Sequence, residues 1–317
     1  MRRFKTDSIF RYFKIIPLII FIFSNSISFG AVVTLIDELT IPNNTGGGQS
    51  VPLGVEFNPD GTKMYITGNS ANKIRQFNLA TAFDVSSGGG GAAEATCDLT
   101  FAHHPAGADN QSDMMNLKFN SDGTKIFIAD MNSANSIVRE FSMSTAYDVS
   151  TVTYVDGYTV GDKASSLSGL DFKPDGTRMY VIRSDGTAGN TVAIEQFSLS
   201  TPWDSSTITW TGRTDLQTGC TTSIQSRGLD FKPDGTRVFI GNEGNDIIAQ
   251  YDLTTPWDVT TMRNQECSPS ITGDETKMRN IQLSSDGNFL YVGGNTGDDI
   301  NLSLIHISEP TRLRRIS

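Results

Sequence analysis

The chain has 317 residues, 25 of them basic and 35 acidic, for a formal net charge of −10. A surface this acidic repels phosphate backbones and anionic lipid, which argues against nucleic acid as a partner. With three histidines, one of them near the C-terminus, and no CxxC spacing, the composition also argues against a histidine-ligated zinc centre or a Ser-His-Asp triad.

Residues 1–30 read as a secretory signal peptide. Arg2, Arg3, Lys5, Arg11 and Lys14 precede an apolar core from Ile15 to Phe23, and small residues follow at Ser26, Ser28 and Gly30. The apolar run is shorter than the roughly 20 residues a spanning helix needs, and Pro17 interrupts it. The expected destination is secreted, periplasmic or cell-surface, with membrane contact only through the leader before cleavage after Ser28 or Gly30.

From Gly54 onward one unit recurs five times: GVEFNPDGTKMYIT from Gly54, NLKFNSDGTKIFIA from Asn116, GLDFKPDGTRMYVI from Gly169, GLDFKPDGTRVFIG from Gly228 and NIQLSSDGNFLYVG from Asn280. Each is an apolar strand, an Asp-Gly turn and a second strand rich in aromatic and β-branched residues. Asp-Gly between such runs is a strong hairpin signal, because glycine takes positive φ without steric penalty. A third strand follows in KIRQFNL, IVREFSM, AIEQFSL and IIAQYDL, then a corner ending Phe83-Asp84, Tyr147-Asp148, Trp203-Asp204 or Trp257-Asp258. A fourth strand is clearest in Thr151–Val155 and Thr207–Thr211. No segment longer than a turn has helical periodicity. Four antiparallel strands, repeated, predict an all-β fold: a β-propeller whose blades bury both faces against their neighbours. The ring aromatics Phe77, Phe141, Phe197 and Tyr251 are then filling between blades.

Leu35–Ile41 matches the pattern of Tyr154–Val160, which makes the N-terminal segment a fourth strand without its first three. In propellers such a strand completes the last blade. Its partners are expected at the C-terminus, and Leu302–Arg312 (LSLIHISEPTR) departs from the repeat. That segment matches the conceptual translation of a transposase-type sequencing adapter. The expected organisation is a signal peptide at 1–30, an incomplete propeller at 31–301 and an adapter-derived tail at 302–317. About five blades are present, with six or seven expected in an intact protein.

Of the three cysteines, Cys220 and Cys267 lie in connections between successive repeats and are placed to meet as a disulfide, as an oxidising destination permits. Cys97 aligns with Tyr154 and Trp210 and reads as a packed strand residue. The Asn/Asp/Gly tips Gly241–Asp246 and Gly294–Asp299 offer oxygen ligands, but tight turns demand the same residues. Glu56, Lys118, Asp171, Asp230 and Gln282 occupy equivalent positions on the first strands, which line the channel of a propeller. Glu56, Asp171 and Asp230 are therefore the candidate cation ligands, with calcium the ion in view; Lys118 offers them a salt bridge instead.

The x-F-x-PDGT-[KR]-x-[YF]-V motif with its aromatic-Asp corner resembles the bacterial YVTN/lactonase-like, WD-repeat-like propellers over Val32–Asn301. The resemblance implies the fold, and leaves sugar lactonases, adhesion modules and periplasmic scaffolds as functions. No catalytic constellation and no cofactor is evident in the motifs, and the near-uniform blades suit a non-catalytic scaffold. Its protein or glycan partner is expected on the rim that carries the variable loops Pro42–Pro52, Ser86–Glu94, His103–Asp113, Asp162–Ser168, Gly212–Ser226 and Gln265–Lys277. The alternative is a calcium-dependent lactonase or hydrolase with a channel site. Amplifying the source locus across codon 301 should give a sequence that leaves the adapter at once and resumes an x-Gln-[Phe/Tyr]-x-Leu strand. A genomic LSLIHISEPTR at that point would overturn the truncation.

Overall fold

The computed structural model describes residues 32–40, 52–68, 73–85, 95–98, 113–131, 136–160, 167–183, 192–216, 225–271, 277–294 and 299–306. They form twenty strands in five four-stranded antiparallel sheets. The chain opens with β1 (Val32–Thr40). The first blade follows as β2 (Pro52–Phe57), β3 (Lys63–Gly68), β4 (Lys73–Asn78) and β5 (Ala95–Asp98). The second is β6 (Asp113–Phe119), β7 (Lys125–Met131), β8 (Ile137–Met143) and β9 (Val152–Thr159). The third is β10 (Leu167–Phe172), β11 (Arg178–Arg183), β12 (Ala193–Leu199) and β13 (Ile208–Asp215). The fourth is β14 (Ser226–Phe231), β15 (Arg237–Asn242), β16 (Ile247–Leu253) and β17 (Met262–Cys267). The fifth is β18 (Met278–Leu283), β19 (Phe289–Gly294) and β20 (Asp299–His306), with β1 on its outer side.

The first strands neighbour one another in the order β2, β6, β10, β14, β18 and back to β2. The ring therefore closes at five blades, and the expected sixth and seventh find no gap in it. The N-terminal strand completes the last blade as its pattern predicts. Its partner is within the chain, contrary to expectation: β1 pairs with β20 from Val32↔His306 to Thr40↔Asp299. The backbone of Leu302–His306 thus takes a third-strand place between β19 and β1. Ladder hydrogen bonds are made by backbone groups whatever the side chains, so this pairing leaves the origin of the segment to the DNA test.

The first strands are buried although each carries a polar residue between apolar neighbours, because they stand next to one another around the axis. β10 is buried at all six positions. Phe77, Phe141, Phe197 and Tyr251 are each 2% exposed, as expected of rings between blades. Removing such a ring costs about 3–5 kcal/mol. Every first strand carries a bulge just before or at its small start residue. The small residue is needed because adjacent first strands approach closely. A Cβ on Gly169 would lie 3.1 Å from the Leu229 amide, and one on Gly228 would lie 2.6 Å from the Ile281 amide.

The Asp-Gly turns and aromatic-Asp corners share one rim and hold each other. In the third blade, Asp175 Oδ1 accepts from the amide (3.0 Å) and hydroxyl (2.6 Å) of Thr177. Trp203 donates its amide to the Gly176 carbonyl at 3.1 Å, and its indole covers that glycine. The corner aromatics Phe83, Tyr147, Trp203 and Trp257 all have φ between 56° and 62°, the left-handed region that bulky residues rarely occupy. Asp148, Asp204 and Asp258 each then cap a single 3-10 turn, as Asp204 does by accepting from the Ser206 amide.

Blades are joined through these corners. Tyr65 OH donates to the Tyr147 carbonyl (2.8 Å), Lys125 Nζ to that of Trp203 (2.6 Å), Tyr180 OH to that of Trp257 (2.5 Å) and Tyr291 OH to that of Phe83 (3.0 Å). A second set reaches the 3-10 turns. Gln76 Oε1 accepts from the Val149 amide, Glu140 Oε2 from Ser205 and Gln196 Oε1 from Val259. Gln76, Glu140 and Gln196, each just before a ring residue on its third strand, thus serve the next blade.

Cys267 is disulfide-bonded; its expected partner Cys220 lies outside the described residues. Cys97 stands opposite Ile74, whereas Tyr154 and Trp210 stand opposite Phe141 and Phe197. Since Ile74 corresponds to Val138, the true counterpart of Cys97 is Tyr158. The bulge that precedes Tyr154 in its pairing with β8 shifted the alignment read from sequence.

Gly176→Ala would set a Cβ about 2.3 Å from the Trp203 indole at φ +71°. We expect it to lower stability by roughly 1–3 kcal/mol, read from the urea midpoint. Gly293→Ala, whose Cβ meets nothing within 4 Å, should leave the midpoint nearly unchanged. Equal midpoints would show that the ring-on-glycine contact contributes nothing.

Candidate functional site

Glu56, Lys118, Asp171, Asp230 and Gln282 each sit one residue before the last on their first strand, at the same register opposite Tyr65, Phe127, Tyr180, Phe239 and Tyr291. The pleat sends the flanking residues between blades and these five toward the axis. They meet there. Lys118 Nζ lies 2.6 Å from Gln282 Oε1, 3.0 Å from Glu56 Oε2, 3.3 Å from Asp230 Oδ1 and 3.5 Å from Asp171 Oδ1. All five side chains belong to residues less than 9% exposed.

The three carboxylates named from sequence are thus brought together, and the point on which they converge is the Lys118 ammonium. Two of them are also clamps between strands. Asp171 accepts from its neighbour Phe172 N (2.8 Å) and from Phe231 N of the next blade (3.0 Å). Asp230 accepts from Phe231 N (3.1 Å) and from Leu283 N of the blade after (2.5 Å). Glu56 accepts from its neighbour Phe57 N and faces Lys118. Among the described residues, no group of three or more His, Cys, Asp or Glu is disposed to hold a metal ion.

Burial sets the protonation of the cluster. Desolvation, with Asp230 adding and Lys118 opposing, moves the Glu56 carboxyl from its ordinary 4.5 to about 7. Burial and the neighbouring Asp230 likewise push the Asp171 carboxyl up against the pull of Lys118. Burial disfavours the Lys118 charge, but Asp171, Asp230 and Glu56 outweigh it and hold the ammonium above its ordinary range. Lys118 therefore stays charged while Glu56 exchanges a proton near neutrality.

Below the cluster the channel is crossed by Asn116 Nδ2, which donates to Asn280 Oδ1 at 2.9 Å; Asn280 in turn donates to the Val55 carbonyl. Above it, a funnel of about 320 Å³ opens on the Asp-Gly rim. Glu56, Lys118, Asp171 and Gln282 line it, together with Phe83, Tyr147 and Trp203 from the corners. Sequence spacing pointed to the five axial residues. It missed the Asn116–Asn280 crossing, although both asparagines stand where three other blades have glycine, and that contrast was the available signal.

The tip Gly241–Asp246 behaves as a turn: Asn242 Oδ1 accepts from the Asn245 amide, and Glu243 Oε2 is held at 2.9 Å by both Arg227 and Arg279. Residues 295–298 of the second tip lie outside the described residues, as do 42–51, 86–94, 103–112, 162–166, 217–224 and 272–276 of the variable loops.

No family model matches the chain, and no curated protein matches it. Among solved structures it is similar to hydrazine synthase of Kuenenia stuttgartiensis, at 13% identity over 79% of this chain and 70% of that one, TM-score 0.48. A functionally unknown protein of Desulfotomaculum acetoxidans matches at 14% identity, over 76% of this chain and 62% of that one, TM-score 0.45. A Bacteroides uniformis protein proposed to be a 6-phosphogluconolactonase matches at 17%, over 68% and 53%, TM-score 0.43. The chain spans less than two thirds of the latter two. Likeness at this level is one of general architecture, and no activity is carried over from it.

The Glu56 shift has a defined sign. A carboxyl raised on folding contributes stability fully below its unfolded pKa, and that contribution is lost as pH rises toward 7. Unfolding free energy should therefore fall between pH 4.5 and 8, by on the order of 3 kcal/mol through Glu56, with Asp171 acting in the same sense. The turn aspartates, such as Asp60 and Asp122, are held below their ordinary range by bonds from Thr62 and Thr124 and act only at lower pH. Glu56→Gln should flatten the slope across this window in urea titrations. Parallel wild-type and variant profiles would overturn the assignment.

Proposed function

We propose that this chain is a secreted, non-catalytic β-propeller of the YVTN/lactonase-like kind that binds a protein or glycan through its variable-loop rim. The observation that carries the choice of scaffold over hydrolase is the place of Lys118. A calcium-dependent mechanism needs carboxylates free to ligate, and here Glu56, Asp171 and Asp230 all lie within 3.5 Å of one buried ammonium. The Asp-Gly rim is spent on its own bonding, through Asp-to-Thr turns and rings over glycines. That leaves specificity to the opposite rim, where loop length varies from blade to blade. The acidic surface disfavours nucleic acid, and the leader supports delivery to the periplasm, the cell surface or the medium.

One observation favours the rival reading, a calcium-dependent lactonase. Glu56 lines an open cavity and exchanges a proton near neutral pH, as a general acid or base does. Two measurements separate the readings. Replacing the side chains of residues 217–224 and 272–276 by glycine and serine, with Cys220 retained, should abolish glycan-array or protein-partner binding while circular dichroism stays that of the parent. Unchanged binding would count against the loop rim. Calorimetric titration with calcium should give no heat, and lactones should not turn over; stoichiometric calcium heat with turnover would establish the rival.

A further inference from the structure

We propose that the funnel above Lys118 is a binding site for a small organic ammonium, with its cationic head against Glu56 and its body among the corner rings. This site is on the opposite rim from the variable loops and does not depend on what those loops bind.

The first observation is an imbalance of donors and charge. One ammonium carries three N–H donors, and four acidic or amide side chains crowd it. Lys118 donates to Gln282 Oε1 at 2.6 Å and to Asp230 Oδ1 at 3.3 Å. Glu56 Oε2 lies 3.0 Å from the same nitrogen, yet no donor is aligned on it for a hydrogen bond, although Glu56 is only 8% exposed. Three carboxylates face one cation in a site removed from water, so the floor of the funnel is deficient in positive charge. Asp171 and Asp230 meet their remaining needs with the amides of Phe172, Phe231 and Leu283; Glu56 has the Phe57 amide, and its Oε2, paired with Lys118 by charge alone, faces the funnel.

The second observation is the cavity. At about 320 Å³ it stands at the lower end of the roughly 300–1,000 Å³ found for small-molecule sites. Phe83, Tyr147 and Trp203 surround its mouth, and aromatic rings attract cations through their quadrupoles. The net charge of −10 adds a field that draws cations in.

Together these select the type of cation. A compact divalent ion on Glu56 Oε2 would sit within a few ångströms of Lys118 Nζ and be repelled by it, while Asp171 and Asp230 already accept from backbone amides. An alkylammonium spreads one charge over a larger volume, leaves Lys118 in place and gains contact with the rings.

The test uses the full chain and an isosteric pair of probes, choline and the neutral 3,3-dimethyl-1-butanol, in calorimetry at pH 7. Choline should bind at least about tenfold more tightly than its neutral isostere, and its heat should vary between buffers because a proton leaves Glu56. Glu56→Gln should weaken choline about tenfold without altering the circular dichroism spectrum. Equal affinity for the two probes, or no binding of either by folded wild-type protein, would overturn the proposal. Calcium binding that Glu56→Gln abolishes, without choline binding, would overturn it in favour of an inorganic cation, whereas loss of partner binding on loop replacement alone bears only on the variable rim.

Discussion

Everything in this ring depends on one backbone carbonyl per corner. The corner aromatic turns into the left-handed region, lays its ring on the turn glycine and so presents its carbonyl to the preceding blade. Tyr65, Lys125, Tyr180 and Tyr291 each take up that carbonyl. A bulky residue at positive φ is unfavourable by about 1–2 kcal/mol, and it persists where the surroundings over-determine it. Here the ring contact, the corner amide bonded to the turn carbonyl, and the neighbour's hydroxyl all require the same geometry. Hairpin, corner and inter-blade joint are thus one device, which explains why their sequences recur together.

That device was largely legible. Asp-Gly with a following Thr or Asn announces a turn whose aspartate bonds the amide two residues on, and all five do so. The corner's sign of φ was not legible, because no local rule predicts Trp203 in a conformation that glycine prefers. The bonds of Tyr180 and Gln196 were not legible either, because their partners lie about sixty residues or more away on the next blade. Cys97 was misaligned because an extra bulge residue is invisible in a pattern of apolar letters. Blade number, five against six or seven in an intact ring, was left open by the sequence for a different reason: closure depends on inter-blade angle, which the repeat itself does not encode.

The axial site shows what a repeat can and cannot announce. Equivalent positions must converge when strands ring an axis, so Glu56, Asp171 and Asp230 were identifiable without coordinates. Their chemistry was not, since it turns on which of them Lys118 serves and which amides remain. The blades carry unlike residues on this belt and on the Gly/Asn belt beneath it, so the pseudo-symmetry is broken where the blades meet. Two carboxylates tie successive strands together, and the asymmetry leaves Glu56 with a different environment from the other two.

Pairing β1 with β20 joins Glu38 to Asn301 and Thr40 to Asp299, across most of the chain. Such a contact is among the last that a growing or translocating polypeptide can make, and loop-closure entropy delays it further. The blades formed earlier have their neighbours on one side, but the first-made strand must wait unpaired until the final hairpin emerges. During that interval it is an apolar ribbon with two open edges, the kind of segment that recruits chaperones or other copies of itself. The latch that seals the finished ring is, while the ring is being made, its most adhesive part.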